Sequence, residues 1–318
     1  MISFSIKVKN EILQQNGEKT EKISLLSSYI RNNAVITTNS ILINTENIEI
    51  SKKIYQLINE LYSINPIVSI RKGFNFKKTT SYSLEIKDKK DIILKDLSLI
   101  NENGYFINIP REYIYEGEEE RKSYLKGLFL GSGSINDPKT SRYHLEFLID
   151  DYEYALFICE LLDDYELNSK ILQRSNGFMV YIKEAEKISD FLKILKAYNS
   201  VLYFEDIKAY REQKNLINRL NNCEQANVEK TINSANEQIE DINYIENTIG
   251  LDSLDDKLKT TAIYRKKYGE ASLNELSKII SIETNTKVTK SGLNHRIRKI
   301  KEIALSLKKN GRTIDEKE

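Results

Sequence analysis

The sequence is poor in the residues that usually build metal sites and disulfide frameworks. Its 318 residues include two cysteines, two histidines, three prolines and no tryptophan. Cys159 and Cys223 lie far apart, each in a stretch with helical periodicity, which argues against a disulfide framework and fits a reducing cytoplasm. With only His144 and His295 besides, no zinc-site spacing is present. We therefore expect neither a bound metal nor a cofactor.

Long apolar runs are also missing. No segment approaches the ~20 apolar residues that span a bilayer, and residues 1–13 place Lys7, Lys9 and Glu11 among their apolar positions, unlike a secretory signal. The sequence therefore predicts a soluble cytoplasmic protein with no membrane partner. Its composition, 40% hydrophobic and 30% charged, is that of an ordinary globular protein, and its length allows two or three domains.

The chain does contain an internal repeat. Residues 25–35 align with residues 125–135 at an offset of 100. The segments that follow them in the two halves correspond in kind and order: strand-like stretches over 36–44 and 143–149, amphipathic helices over 50–61 and 152–162, hairpins over 67–87 and 170–183, and closing helices over 89–100 and 185–197. Each half is thus predicted to fold α-β-β-α-β-β-α. This matching order favours duplication over chance similarity between two α+β stretches.

The repeated segment resembles the signature of LAGLIDADG homing endonucleases, most clearly over residues 124–134. That resemblance implies two facing helices, each ending in a carboxylate that binds a metal ion. Asn32 and Ser132 occupy the carboxylate positions, and neither binds Mg²⁺ as an anion, so we expect no catalytic residue and no cleavage. Gly127, Gly131 and Gly133 are expected to let two helices pack closely rather than to cradle a phosphate, because the lysine and preceding strand of a P-loop are absent.

The other polar residues of the repeats are expected to be structural. His144 lies in a strand pattern without a nearby Cys, Ser or acid signature. Asp150 and Asp151 are candidate metal ligands, but their place at a helix end favours capping. Asp163 and Asp164 are also candidate metal ligands, but they are expected on the solvated surface.

Beyond the repeats the chain is predicted to be helical. Residues 205–247 lack proline and glycine and are predicted to form a helix in more than one piece, ended by Gly250. Three helices follow: one over 255–268 stopped by Gly269, one over 273–280 opened by a capping box of Ser272 and Glu275, and one from near Thr289 past Leu305. A helix, a short turn and a longer helix are the order of a helix-turn-helix unit.

The last helix has two contrasting faces. The buried stripe is formed by Leu293, Ile297, Ile300, Ala304 and Leu307. Residues 284–312 hold nine basic residues and one acid, a formal charge of +8, whereas the rest of the chain sums to −7. That concentration indicates a phosphate-binding surface. The alternative is a merely solvated helix; the capping box, the turn and the outward Asn, His and Arg side chains favour DNA binding.

These patterns predict double-stranded DNA as the partner. Four residues are expected to face base edges: Ser291, Asn294, His295 and Arg298. Four are expected to hold phosphates: Lys290, Arg296, Lys299 and Lys301. The residues expected to support the helix-turn-helix are Ser272, Glu275, Leu276, Leu293, Ile297 and Ile300.

The chain also resembles one family along nearly its whole length, the WhiA family of bacterial regulators. The matching segments are residues 3–5, 8–11, 124–134, 218–227 and 290–300. The resemblance implies an α+β fold, a degenerate duplicated LAGLIDADG-like domain, joined to an all-α helix-turn-helix domain similar to sigma-factor region 4. It further implies a DNA-binding protein linked to cell division, chromosome segregation and, in some lineages, sporulation. Residues 31–34 replace the glycine-bearing turn usual in the first repeat.

Four domains are expected: a first repeat over 1–110, a second over 111–204, a helical linker over 205–250 and the helix-turn-helix over 251–318. The repeat within one chain predicts a monomer. The resemblance to the WhiA family implies a location in the bacterial cytoplasm at the nucleoid. Two other functions remain as hypotheses. One is an active endonuclease, which needs two metal-bridging carboxylates that Asn32 and Ser132 do not provide. The other is an adaptor whose duplicated domain binds other regulatory or division proteins, with DNA contact secondary.

Overall fold

The chain forms two compact units, one of mixed helices and sheets and one of helices. The computed structural model describes residues 2–72 and 80–315, with side chains as far as residue 309. The units are Met1–Glu212 and Gln213–Glu318. The strands lie in the first unit and the second is built from helices, which confirms the predicted α+β fold class.

Each half of the first unit has the predicted order of elements. One helix precedes the halves, α1 (Phe4–Leu13). The first half comprises α2 (Lys19–Asn33), β1 (Ala34–Ile36), β2 (Ile41–Thr45), α3 (Ile48–Tyr62), β3 (Ile67–Lys72), β4 (Thr80–Ile86) and α4 (Lys90–Asp96). The second comprises α5 (Glu118–Ser132), β5 (Gly133–Ile135), β6 (Leu145–Ile149), α6 (Tyr152–Asp163), β7 (Lys170–Arg174), β8 (Gly177–Ile182) and α7 (Ala185–Ile194). The α-β-β-α-β-β-α prediction is therefore confirmed for both.

Two predicted segments differ in detail. The strand-like stretch over 36–44 is a hairpin, because Thr37 and Ser40 close a tight turn between β1 and β2, with the Thr37 N–H donating to the Ser40 carbonyl at 2.9 Å. Each closing helix is shorter than predicted: α4 ends at Asp96 and α7 at Ile194. The hairpin predicted over 170–183 is confirmed. In its turn Gly177 has a φ of +104°, and a Cβ there would overlap the Ile149 carbonyl.

The two sheets have the same topology. Each is antiparallel and four-stranded, with strand orders β1-β2-β4-β3 and β5-β6-β8-β7. Ile43 pairs with Leu84 in the first sheet and Phe147 with Val180 in the second. All four side chains are buried in one continuous core, against helices that cover one face of each sheet. The period-2 alternation of the central strands thus places one face inward, as expected.

Helices α2 and α5 pack against each other through glycines. A Cβ on Gly127 would overlap the main-chain carbonyl of Leu25, and one on Gly131 would overlap the side-chain amide of Asn33. A Cβ on Gly133, the first residue of β5, would overlap Phe129 of α5. The predicted close packing of two helices is therefore confirmed for Gly127 and Gly131. At Gly133 the missing Cβ instead leaves space for the Phe129 side chain.

The structure corrects the offset between the repeats by one residue. Helix α2 ends at Asn33 and α5 at Ser132, and β1 and β5 begin one residue later in each half. Asn33, not Asn32, is therefore the structural counterpart of Ser132, at an offset of 99. Sequence similarity did not resolve this shift because residues 31–34 lack the glycines of the second copy.

The remaining helices are α8 (Tyr198–Thr248), α9 (Asp256–Lys267), α10 (Leu273–Glu283) and α11 (Lys290–Asp315). Helix α8 is one continuous helix of 51 residues, so the prediction of more than one piece was wrong. No proline or glycine interrupts residues 204–248, and Gly250, with a φ of +79°, follows its end. The four predicted domain boundaries stay predictions.

Candidate nucleic-acid interface

The short helix α10 begins with the predicted capping box. The Ser272 Oγ accepts a hydrogen bond from the Glu275 N–H at 3.3 Å, and the Glu275 Oε2 accepts one from the Ser272 N–H at 2.8 Å. These bonds hold the pKa of Glu275 below its usual range. Both residues therefore stabilise the start of α10 as predicted.

Arg265, which sequence analysis did not identify, binds main-chain carbonyls in the turn between α9 and α10. Arg265 is 1% exposed, and its Nη1 donates to the Ala271 carbonyl at 2.7 Å and to the Tyr268 carbonyl at 3.4 Å. Gly269 directly follows the C-cap of α9, as predicted, but it is not among the positive-φ residues and so does not end the helix in left-handed backbone. The guanidinium satisfies carbonyls there that a glycine turn would otherwise satisfy.

The turn between α10 and α11 is tied by side chains. Ser281 Oγ accepts from the Val288 N–H at 2.9 Å, and the φ of Asn285 is +50°. Thr289 then caps α11, with its Oγ1 accepting from the Gly292 N–H at 3.1 Å. The predicted start of the last helix near Thr289 is confirmed.

The predicted buried stripe of α11 joins two small cores. One contains Leu293 with Leu276, Ile280 and Val288. The other combines α11 with α8 and α9, and its buried members are Ile242, Ile245, Leu254, Leu258, Ala262, Ile297, Ile300 and Ala304. Leu307 is partly buried against it. The supporting roles predicted for Leu276, Leu293, Ile297 and Ile300 thus agree with their burial.

The opposite face of α11 is open to solvent. Six predicted contact residues are exposed there: Lys290, Ser291, Asn294, His295, Arg298 and Lys299. Arg296 is half-buried at the edge of that face. Lys301 is exposed but lies 3.7 Å from a carboxylate oxygen of Glu237 on α8, so part of its charge is already compensated. All eight lie on one helix, and a DNA contact by each of them remains a prediction.

The charge of this face is only partly neutralised within the chain. The Lys308 Nζ lies 2.8 Å from Asp241, and that contact raises the pKa of the Lys308 amine. Arg296, Arg298 and Lys299 form no ion pair in the part of the chain that the structure describes. Arg312, which the sequence adds to this charge, lies outside the described side chains. An unpaired row of cations on an exposed helix is suited to phosphate oxygens.

The ends of α2 and α5 hold uncharged groups where a nuclease needs carboxylates. The Asn32 Nδ2 donates to the Ser28 carbonyl at 2.8 Å and lies 3.2 Å from the Tyr154 hydroxyl. The Asn33 Nδ2 donates to the Tyr29 carbonyl at 3.1 Å, and the Ser132 Oγ to the Leu128 carbonyl at 3.3 Å. These groups are engaged with their own helices.

The described residues contain no cluster of three or more His, Cys, Asp or Glu side chains that would hold a metal ion. Asp151 caps α6, its Oδ1 accepting from the Tyr154 N–H at 2.9 Å, as expected for the first acid pair. Asp163 and Asp164 are exposed, as expected. The Asp163 Oδ1 accepts from the Ser169 N–H at 3.0 Å, and Asp164 lies 3.4 Å from Arg121.

His144 does have an acidic partner, contrary to expectation. Its Nε2 lies 2.9 Å from the Glu146 Oε2, and its ring stacks on Tyr181 at a centroid distance of 5.8 Å. The signal was present in the sequence, because residues two apart in a strand lie on the same face.

Within the residues the structure describes, none of the helices combines the length and the apolar character needed to cross a membrane.

The architecture defines a class of protein: a duplicated LAGLIDADG-like scaffold with uncharged residues at the signature positions, followed by a helix-turn-helix unit. Three family models match the chain: the WhiA N-terminal LAGLIDADG-like domain over residues 19–100, the WhiA LAGLIDADG-like domain over 121–214 and the WhiA C-terminal HTH domain over 217–304. The chain belongs to the WhiA family.

Individual relatives agree with this assignment. A probable cell division protein WhiA of Bacillus thuringiensis (strain Al Hakam) is 41% identical over 322 residues, covering 100% of both chains. One of Bacillus cytotoxicus is 42% identical over 321 residues, 99% of this chain and 100% of its own. The crystal structure of full-length DUF199/WhiA from Thermatoga maritima shares the fold, with a TM-score of 0.57 and 24% identity over 96% of this chain and 98% of that one.

Proposed function

We propose that the chain is a regulator that binds double-stranded DNA through α11, with the duplicated unit as a scaffold that does not cleave DNA. The observation that carries the proposal is the two-sided character of α11. One face is buried in two small cores. The other exposes Asn294, Arg298 and Lys299, and neither of these two cations forms an ion pair with a described residue. A helix held in this way is suited to lie in the major groove.

The proposed contacts divide by chemistry. Asn294 and Arg298 match adenine and guanine edges, with Ser291 and His295 beside them. Lys290, Arg296 and Lys299 are suited to phosphates that set the register, and Lys301 can contribute once it leaves Glu237. Because relatives are named probable cell division proteins, we place this regulation in cell division. Chromosome segregation, sporulation, a monomeric state and a nucleoid location are parts of the same proposal.

The proposal that the scaffold lacks nuclease activity follows from the groups at the ends of α2 and α5. Hydrolysis of a phosphodiester by this class of fold needs carboxylates to hold divalent ions. Asn32, Asn33 and Ser132 are uncharged and donate to carbonyls within their helices.

The proposal is tested by measuring how tightly the full chain and two fragments, Met1–Glu212 and Gln213–Glu318, bind duplex DNA over a salt series. The second fragment is Gln213–Glu318, which keeps the α8 residues Ile242 and Ile245 that complete the core of α11. It should bind as tightly as the full chain, with an affinity that falls steeply with salt. If Met1–Glu212 binds as tightly as the full chain, the proposal is wrong.

A further inference from the structure

A cleft of about 310 Å³ lies in the second unit, beside the first residue of α11. The side chains and amides on which its chemistry depends belong to Lys230, Gln238, Arg265, Leu273, Asn274 and Lys290. Three of the lining side chains are cationic and none is acidic. Its volume is at the lower end of the range for small-molecule clefts, so it has room for more than a single ion.

Arg265 is the strongest indication of a ligand. The side chain is 1% exposed, and its Nε is a buried donor with no hydrogen-bond partner. No carboxylate in the described ranges forms an ion pair with it, and its known partners are main-chain carbonyls. A guanidinium stays protonated in proteins. A buried cation without a counter-ion is unfavourable unless an anion supplies the missing charge and acceptors.

The start of α10 is a second, independent indication. This helix has eleven residues and begins at the cleft wall. The capping box engages the N–H groups of Ser272 and Glu275. The N–H groups of Leu273 and Asn274 have no acceptor within the helix. Free first-turn amides and the helix dipole together favour a bound anion.

Gln238 adds a polar atom whose partner is also missing. Its Oε1 is buried without a donor, while its Nε2 lies 3.1 Å from the Ser234 Oγ. Because a serine hydroxyl both donates and accepts, a half-turn of the amide keeps the bond to Ser234 and presents Nε2 where Oε1 stood. The amide therefore adapts to an acceptor in the cleft.

Lys230 and Lys290 complete the cation set. Lys230 lies on α8 and Lys290 begins α11, and both are exposed. Neither forms an ion pair within the portion of the chain that is described. Two exposed ammonium groups, a buried guanidinium and a helix N-terminus together present donors to several oxygens of one tetrahedral anion.

We propose that this cleft binds a phosphoryl group, supplied by the backbone of bound DNA or by a small phosphate ester. The DNA source rests on the function proposed above, and the small-ester source does not. With DNA, the cleft would hold a phosphate next to the groove occupied by α11 and so fix the register of that helix. With a small ester, it would be a ligand site adjoining the DNA-binding face.

The test compares three full-length proteins: the wild type, Lys230→Gln and Lys214→Gln. Lys214 is an exposed lysine on the same helix that does not line the cleft, so its variant controls for the loss of one charge. In the first arm, inorganic phosphate is titrated against chloride at constant ionic strength and binding is followed by calorimetry. Lys230→Gln should weaken phosphate binding by about tenfold, as expected for a hydrogen bond to a charged group, and Lys214→Gln should leave it unchanged.

The second arm measures duplex affinity over a salt series. If the phosphoryl group belongs to DNA, Lys230→Gln lowers the slope of log affinity against log salt by about one. If the ligand is a small ester, only the phosphate titration changes. The proposal is overturned if Lys230→Gln and Lys214→Gln behave alike in both arms.

The result differs if the proposed DNA-binding function is wrong. The wild type then shows no salt-dependent binding to duplex DNA, but it still binds phosphate, and Lys230→Gln still weakens that binding. Arg265→Lys supplies a further check, because it keeps the charge and removes the Nε donor. It should fall between wild type and Lys230→Gln in the phosphate titration if it folds, and the lysine variants decide the question without it.

Discussion

The α-carbon of Gly127 on α5 lies against the main-chain carbonyl of Leu25 on α2, and a Cβ there would overlap that carbonyl. Gly127→Ala should therefore destabilise the first unit by up to about 2 kcal/mol, because overpacking of ~1–3 kcal/mol outweighs the ~1 kcal/mol gained in helix propensity. Urea unfolding of the full chain measures the difference. In Gly131→Ala the new Cβ meets only the end of the Asn33 side chain, so the loss should be smaller. A larger loss for Gly131→Ala would contradict the packing described.

The Ser272 hydroxyl caps α10 by accepting the Glu275 N–H. Ser272→Ala should lower the stability of the second unit by about 1 kcal/mol, as loss of an N-cap does. Ser306→Ala is the matched control, because Ser306 lies on the exposed part of α11 and caps no helix start. Thermal unfolding of the Gln213–Glu318 fragment reports both. Equal midpoints for the two variants would mean that the capping box adds little.

The features that sequence predicted best are those set by neighbouring residues. The stripe from Leu293 to Ala304 follows from a 3.6-residue period, and the cap of α10 follows from two residues three positions apart. Both depend on local geometry alone. The element order of the two repeats was likewise predicted from periodicity.

The features that sequence missed depend on contacts between distant segments. Nothing near Arg265 indicates that its guanidinium serves the carbonyls of a turn, or that Lys230 of α8 shares a cleft with it. The counterpart of Ser132 was placed one residue early because only the helix ends fix it at Asn33. Continuity of α8 was missed because a long polar helix has no strong apolar period.

The lowered pKa of Lys9 should make the free energy of unfolding depend on pH. Its amine lies 5.6 Å from the centroid of the Phe129 ring, and burial lowers its pKa from 10.5 to about 8. Between about pH 8 and 9.5 the unfolded chain keeps a proton that the folded chain has lost, so stability should rise with pH. Burial of Tyr29 raises its pKa, which acts in the opposite direction only above its unfolded value of 10.

The measurement is urea unfolding of the full chain between pH 7 and 9.5. Lys9→Met should remove the rise and stabilise the protein at pH 7 by about 1 kcal/mol, since one pKa unit corresponds to about 1.4 kcal/mol before solvent screening. Lys7→Met, an exposed neighbour on α1, should keep the rise. A flat profile in the wild type would show that Lys9 is solvated as a charge.

We expect no metal-dependent cleavage of duplex DNA. Asn33 and Ser132 end the two repeat helices and donate to carbonyls of their own helices, so no carboxylate from these positions is available for Mg²⁺. Supercoiled plasmid incubated with the purified chain and Mg²⁺ or Mn²⁺ should stay uncut. Nicking that disappears when Asn33 or Ser132 is changed to Ala would contradict the proposed loss of activity.

Two adjacent residues of α11, Arg298 and Lys299, test which side chains recognise bases and which contact phosphates. Arg298 and Lys299 are both exposed and lie outside the buried stripe, so replacing either should leave the core intact. If Arg298 makes a bidentate contact with guanine, Arg298→Ala should cost about 1–3 kcal/mol at the preferred site and relax specificity at one base pair. Lys299→Ala should weaken binding to all sequences alike and lower the salt slope by about one.

Both variants are measured against a specific duplex and a scrambled one over the same salt series. The preferred site is first defined by selecting bound sequences from a random pool with the wild-type chain. A guanine contact is lost only where the guanine is present, so Arg298→Ala should lose affinity for the specific duplex and little for the scrambled one. A phosphate contact is present in every duplex, so Lys299→Ala should lose equally on both. Equal losses for Arg298→Ala would assign its guanidinium to the DNA backbone and leave base recognition to Ser291, Asn294 and His295.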